Sequence, residues 1–278
     1  MKEQINISIP NYNGSLTILS TIDSVLSQTY KNWIINIYDN DSSDDSIKLI
    51  SMQYTKYIAK GKIKIHLNDK FISQAKNWNR CLANISLCKY FKLLCSDDIL
   101  EPNHLESAIN ALSKTDDHVA GFSAAINYIN QKNIIIGYRS YGFYSYEFWL
   151  SLFYRNYIGC PSSIIIKSSQ YQNYKYSEIP YVGDLIFNME FYLDNKKFIF
   201  DKVPSVRFMV HENSSTTKLF GSKTMMGGRS EFRRYIIKRL DNNLFKQYIF
   251  YGIHIFILIT EKIFFTARKI KILTFNKN

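Results

Sequence analysis

The sequence predicts an α/β fold with a mainly parallel central sheet flanked by helices. Three observations predict it. Short β-branched runs alternate with stretches of helical periodicity over residues 5–102, the rhythm of βαβ units. Each run ends in a polar turn. The apolar run Phe91-Lys92-Leu93-Leu94 ends abruptly at Asp97-Asp98, as a buried parallel strand does when its C-terminal end meets a crevice.

Ile5 to Pro10 alternates and is β-branched, so it reads as the first strand. Pro10-Asn11-Tyr12-Asn13-Gly14 is the turn that ends it. Leu16, Leu19, Ile22, Val25 and Leu26 recur at helical spacing, with Ser15 or Thr17 as a cap. Trp33 to Tyr38 is a second strand, ending in the acidic turn Asp39 to Ser46. Ile47 to Tyr57 is a second helix, and Lys62 to Leu67 a third strand. Phe71 to Leu87 is mostly helical, with Ala75, Trp78, Cys81, Leu82 and Ile85 as its packed stripe. After the Phe91 strand, Asp98 to Glu101 opens a helix at Pro102.

The second half has a different character. Val119 to Tyr128 and Lys132 to Tyr138 form a strand pair turning at Asn130, and Ser145 to Phe153 is a helix. Gly159 to Ile166 enters a strand. Tyr171 to Tyr181 is a tyrosine-rich loop, and Leu185 to Leu193 a short helix. Phe198 to Met209 carries strand signals around Pro204. A basic helix spans Arg229 to Leu240, and Tyr248 to Ile259 is strongly apolar. That last run is too short for a membrane span, which needs roughly twenty residues. It suits a segment lying on an anionic leaflet, or one packed on the domain or a partner.

Of 278 residues, 46% are hydrophobic, enough for a core and against disorder. The formal charge of +12 suits phosphorylated substrates, nucleic acid or an anionic membrane surface. Cys81, Cys88, Cys95 and Cys160 form no CxxC pair or zinc pattern, and the N-terminus carries no apolar leader. A cytoplasmic protein with free thiols is expected, peripheral on the inner face of the membrane if the C-terminal run docks there.

Asn11, Asp39 and Asp97-Asp98 stand at three strand ends, which share one edge in a parallel sheet. Neither GxxxxGK[ST] nor GxGxxG is present to cradle phosphate. Paired carboxylates suit Mg²⁺ or Mn²⁺, which would bridge a diphosphate. Each acid has a plainer reading, Asp39 in an Asx turn and Asp97 or Asp98 as a helix cap.

Ser8-Ile9-Pro10-Asn11-Tyr12-Asn13, Ser24-Val25-Leu26-Ser27-Gln28-Thr29-Tyr30 and Tyr38-Asp39-Asn40-Asp41-Ser42-Ser43-Asp44 resemble the opening signatures of family 2 glycosyltransferases. Asn68, Ala75 and Asn77 are similar to that family's next segment, and Leu94 to Asp98 to its LDxDD element. The likeness is dense over residues 5–102 and looser to about 215. It implies a GT-A fold, with a catalytic domain over 1–220 (a nucleotide-binding half, 1–102, and an acceptor-binding half, 103–220) and a C-terminal helical extension over 221–278. It implies inverting, metal-dependent transfer of a hexosyl or N-acetylhexosaminyl group from a UDP-sugar to a saccharide or lipid-linked saccharide, as in bacterial surface-polysaccharide synthesis.

The resemblance also implies roles. Pro10, Asn11 and Tyr12 line the nucleoside pocket, and Asp39 accepts the base N–H. Lys76 meets phosphate, and Asp98 contacts the donor. Asp97 and His211 hold Mn²⁺ or Mg²⁺. Asp184 is the general base, with Glu178 in reserve. Two departures stand out: Cys95 fills the first acidic position of the metal motif, and Gly183 replaces the acid usually beside the base. They admit a second reading, an inactive scaffold. A third, a nucleic-acid-binding protein, fits the charge but lacks any RRM, KH or helix-turn-helix pattern, so nucleic acid is not expected as a partner.

Overall fold

The computed structural model describes residues 3–83, 85–142, 156–171, 173–212, 214, 217–218 and 222–240, with positions 252, 255, 256 and 260 beyond them. Strand β1 (Ile5–Asn11) runs parallel to β2 (Trp33–Asp39) on one side and to β4 (Tyr90–Leu93) on the other; β3 (Ile63–His66) continues the parallel set beyond β2. The order then passes through β8 (Ile164–Lys167), β6 (Val119–Ile129), β9 (Lys197–Met209) and β5 (Ile99–Leu100). Strand β7 (Ile135–Arg139) hangs on β6. Beyond β4 the sheet is mixed, because β8 pairs antiparallel to both β4 and β6 while β9 runs parallel to β6.

The parallel half follows the expected βαβ rhythm, and its register sets the site. Asn11 lies directly opposite Asp39 at the C-terminal ends of β1 and β2. The strands between are buried throughout or nearly so, as near-continuous apolar runs require. Helix α1 (Ile18–Leu26) and helix α5 (His104–Leu112) cover one face through Ile18, Ile22, Leu105 and Leu112. Helix α4 (Gln74–Cys81) and helix α6 (Gly183–Leu193) cover the other through Cys81, Phe187 and Phe191. Helix α7 (Lys223–Leu240) docks on α6, with Phe232 and Ile236 against Val182, Ile186 and Met189. Its Arg239 donates to Glu190 at 2.9 Å, and Arg233 is fully buried. The basic residues of this helix are therefore partly an inward docking device.

Four local expectations are corrected. Leu16 precedes α1 and is 95% exposed, so Thr21 and Ser24 fill the inward face instead. The helix read over 47–57 breaks into α2 (Ser46–Gln53) and α3 (Thr55–Ala59). The break falls at Tyr54, whose buried phenol hydroxyl donates to Leu19 O and Asp23 Oδ1. Residues 71–87 shorten to α4 and a 3₁₀ turn at Ile85–Leu87. Residues 98–101 do not start a helix. Ile99 and Leu100 pair with Arg207 and Val206, and sheet pairing overrides the helix signal. The hairpin turning at Asn130 forms as expected, with the Asn130 carboxamide accepting from Lys132 N and Ile134 N. The helix expected over 145–153 and most of the apolar run 248–259 lie outside the described residues.

Candidate active site

At the β1 and β2 ends, two loops lace together. Asn11 Nδ2 donates to Asp39 Oδ1 at 2.8 Å and to Ser46 Oγ at 3.0 Å. Asp39 Oδ1 also accepts from Ser42 Oγ at 2.6 Å, and its Oδ2 from Ser42 N at 2.9 Å. The Asx turn expected as Asp39's plainer role therefore exists. A carboxylate has about four acceptor sites, and Oδ2 keeps capacity beyond the turn. Asn13 and Asp41 take positive φ, and Asn13 Oδ1 accepts from Ser43 N at 2.8 Å. Arg80 Nη1 donates to the Asp39 carbonyl at 3.2 Å, and its guanidinium lies over the Tyr38 ring. Pro10 is buried beneath this edge. Tyr12 is 51% exposed, with its ring 4.8 Å from that of Phe71.

At the β4 end, Cys95, Asp97 and Asp98 bring one thiol and two carboxylates within 4.8 Å of one another. Asp97 Oδ2 lies 3.1 Å from His211 Nε2, which joins the loop after β9 to the loop after β4. The Asp97 carboxylate holds the imidazole proton above its usual range. Asp98 faces inward. It is 1% exposed, its Oδ1 accepts from Met209 N at 3.0 Å, and its Oδ2 is buried without a hydrogen-bond partner among the described residues. Burial and the neighbouring Asp97 push its pKa well up. Burial, Asp98 and Asp97 likewise hold the Cys95 thiol well above its ordinary range.

This donor set fits a hard divalent cation. Asp97 offers a carboxylate and His211 an imidazole, with the buried Asp98 carboxyl behind them. The Cys95 thiol stays protonated and soft, so it adds little for Mn²⁺ or Mg²⁺.

Beneath the loop, Lys92 is fully buried and donates to the Ser162 carbonyl. Burial pulls its pKa down to about 7, offset in part by Cys160 and Asp98. Ser162 Oγ accepts from Cys95 N at 3.0 Å. Ser162 thus pins the backbone of the Asp97 loop from below.

Asp184 lies in the first turn of α6, where the helix N-terminus favours negative charge. The N-cap is Val182, so Asp184 stands inside the helix rather than capping it. Asn156 Nδ2 donates to Asp184 Oδ2 at 3.2 Å and to Gly159 O at 2.7 Å. Asn188, one turn after Asp184, donates to the same Gly159 carbonyl at 2.8 Å. Arg139 holds the Asn156 carbonyl from the end of β7. Burial raises the Asp184 pKa, against the pull of Leu185 N–H, Asn156 and Arg139. Gly183 is explained by space: a Cβ there would lie 2.7 Å from the Ser177 carbonyl, so no side chain fits where an acid was expected. Gly159 has φ of +147°, and a Cβ would meet Ser163 Oγ at 2.4 Å.

Lys76 and Glu178 face each other across the cleft rim, with Nζ 3.5 Å from Oε2, both more than half exposed. Glu178 also accepts from Ser73 Oγ. It belongs to the α4 side and, among the described residues, is not hydrogen-bonded to Asp184's network. Asn156, Ser162 and Arg80 escaped the sequence reading. Asn156 sits in a loop and Ser162 in one 3₁₀ turn, Pro161–Ser163, neither long enough to show periodicity, and their contacts are long-range.

Comparisons with known proteins bear on the family and the fold. The sequence profile described as glycosyl transferase family 2 matches residues 7–174. An uncharacterized glycosyltransferase of Rickettsia prowazekii is 34% identical over 129 residues, covering 46% of this chain and 38% of the relative. The UDP-Glc:α-D-GlcNAc-diphosphoundecaprenol β-1,3-glucosyltransferase WfgD of Escherichia coli is 34% identical over 113 residues, 40% of this chain and 42% of the relative. This chain thus spans less than half of either. Staphylococcus aureus TarS residues 1–349, in complex with UDP-GlcNAc, superposes with a TM-score of 0.67 over 90% of this chain and 70% of that one, at 14% identity; the shared feature is the GT-A-like nucleotide-sugar transferase fold. The profile spans more than half of the sequence, including the β1, β2 and β4 strand ends, and the chain belongs to glycosyl transferase family 2.

Proposed function

We propose that this chain is an inverting, cation-dependent glycosyltransferase that moves a hexose or N-acetylhexosamine from a UDP-sugar to a saccharide or lipid-linked saccharide. One observation carries the reading. The segment 156–163 grips Asp184 at one end and the Asp97 loop at the other, through Asn156 and Ser162. A base and a diphosphate corner on one short tether are what a single displacement needs. WfgD is named for UDP-Glc and a diphosphoundecaprenol-linked acceptor, and TarS was captured with UDP-GlcNAc; these support the donor and acceptor classes.

In this mechanism Pro10, Asn11 and Tyr12 frame the nucleoside, and Asp39 Oδ2 accepts the base N–H. Lys76 swings from Glu178 toward phosphate. Asp97 and His211 would hold Mn²⁺ or Mg²⁺, and a cation there would supply positive charge against the departing diphosphate. Asp98 braces the loop from behind through Met209 N. Asp184 takes the proton of an acceptor hydroxyl. That oxygen forms a bond to the anomeric carbon as the carbon–oxygen bond to the diphosphate breaks, and the diphosphate keeps the electron pair. A carboxyl raised by burial is better matched to this proton transfer near neutral pH than a solvated one.

The test is a panel of nucleotide sugars with Mn²⁺ or Mg²⁺, following released nucleoside diphosphate. Asp97→Asn and Asp184→Asn should each suppress release. Turnover of the Asp184→Asn protein at the parent rate would refute the base, and undiminished metal binding by Asp97→Asn would refute the cation site.

A further inference from the structure

Among the described residues β7 pairs with β6 alone, so its outer edge is free. Three consecutive isoleucines lie on it or beside it. Ile134, Ile135 and Ile136 are 56%, 58% and 55% exposed, and Val203, in the β9 bend across β6 from them, is 63% exposed. Tyr138 joins the two elements, its hydroxyl donating to Lys202 O at 2.7 Å. An apolar run on an open edge invites association unless something covers it.

The charges around the run indicate what covers it. Lys132 and Lys202 flank it and are exposed. Asp201 turns its carboxylate to Val203 N, and Arg207 is paired with Glu101. The rim carries two exposed lysines against the one carboxylate of Asp201, with an amphipathic tyrosine between apolar core and charged border. A two-fold pairing with a second copy would set like charges against each other, because such an interface uses the same patch twice. An anionic lipid surface complements both the isoleucines and the lysines. The patch is also continuous with the site. Arg139 closes β7 and holds Asn156, four residues or about 13 Å along the strand from Ile135.

We infer that the β6–β7 hairpin is a membrane-contact element, with Ile134, Ile135, Ile136 and Val203 in the interfacial layer and Lys132 and Lys202 on lipid phosphates. Docked this way, the end of β7 that holds Asn156 faces the leaflet, where a lipid-linked acceptor resides. This deepens the reading of a lipid-linked acceptor. The assay below contains neither donor nor acceptor, so the two fail separately.

The experiment is co-sedimentation of the full chain with phosphatidylcholine vesicles, with and without phosphatidylglycerol. The parent should bind the anionic vesicles and lose binding at high salt. Ile134→Ser/Ile136→Ser should weaken partitioning by about tenfold, and Lys132→Glu/Lys202→Glu by at least about fivefold per lysine, both at the parent's melting temperature. Equal binding by parent and both variants would overturn the inference. So would a parent dimer in size exclusion that Ile136→Asp converts to monomer without any vesicle binding by the parent.

Discussion

Asn156 Nδ2 donates to Asp184 Oδ2 at 3.2 Å, and Asn156 is itself held at its carbonyl by Arg139 from the neighbouring strand. A side chain so placed favours the ionised form of the carboxyl it touches, against a burial that favours the neutral form. The balance between the two sets when Asp184 can accept a proton.

Replacing Asn156 by Ala removes the donor that stabilises the carboxylate. The acid limb of the kcat–pH profile should move to higher pH, with kcat at high pH within about tenfold of the parent. A uniform loss at every pH, with the limb unmoved, would mean that Asn156 only braces the loop.

Asp184→Asn should lower kcat by about 10²–10⁴-fold without lowering the melting temperature at neutral pH. The sign follows from the raised pKa. The folded state binds this proton more tightly than the unfolded state, so the carboxyl costs stability as pH rises from its unfolded pKa through its folded one. Thermal unfolding of parent and variant across pH 4 to 8 should show the variant gaining on the parent as pH rises. A variant that melts lower throughout would assign Asp184 a mainly structural role.

Cation affinity should rise with pH. The proton on His211 Nε2 is stabilised by Asp97 and must leave before that nitrogen can ligate. Titration of Mn²⁺ at several pH values should show this trend. His211→Ala should weaken binding by about tenfold or more and flatten the pH dependence. A pH trend equally steep in His211→Ala would place its source elsewhere.

Gly183→Ala places a methyl 2.7 Å from the Ser177 carbonyl. Backbone must shift to admit it, at a cost of about 1–3 kcal/mol in chemical denaturation. A neutral substitution would show that the tyrosine-rich loop yields freely, and that the lost acid at this position has no steric cause.

The sequence showed the parallel half of the fold clearly, because each strand there is a short apolar run ended by polar turn residues. The placement of Asn11 opposite Asp39 follows from that regularity. The acids of the site were visible for the same reason, since charges at strand ends have few plain explanations. What escaped is long-range. Ile99-Leu100 reads as a helix start until β9 is beside it. Lys92 is the one charge in a run read as a buried strand, and its ammonium is buried on the Ser162 carbonyl, a partner 70 residues away. Asn156 lies in no periodic element, and its value comes wholly from Asp184, 28 residues later. Gly183 looked like a lost acid, and only the fold shows that a Cβ there would press on the Ser177 carbonyl.

The central claim is single displacement with Asp184 as base. Proton NMR of the first-formed sugar tests it most directly, with the anomeric coupling read before mutarotation, using whichever UDP-α-sugar the enzyme turns over with Mn²⁺ present. The β-anomer is the predicted product, and first-formed α-anomer would contradict the account.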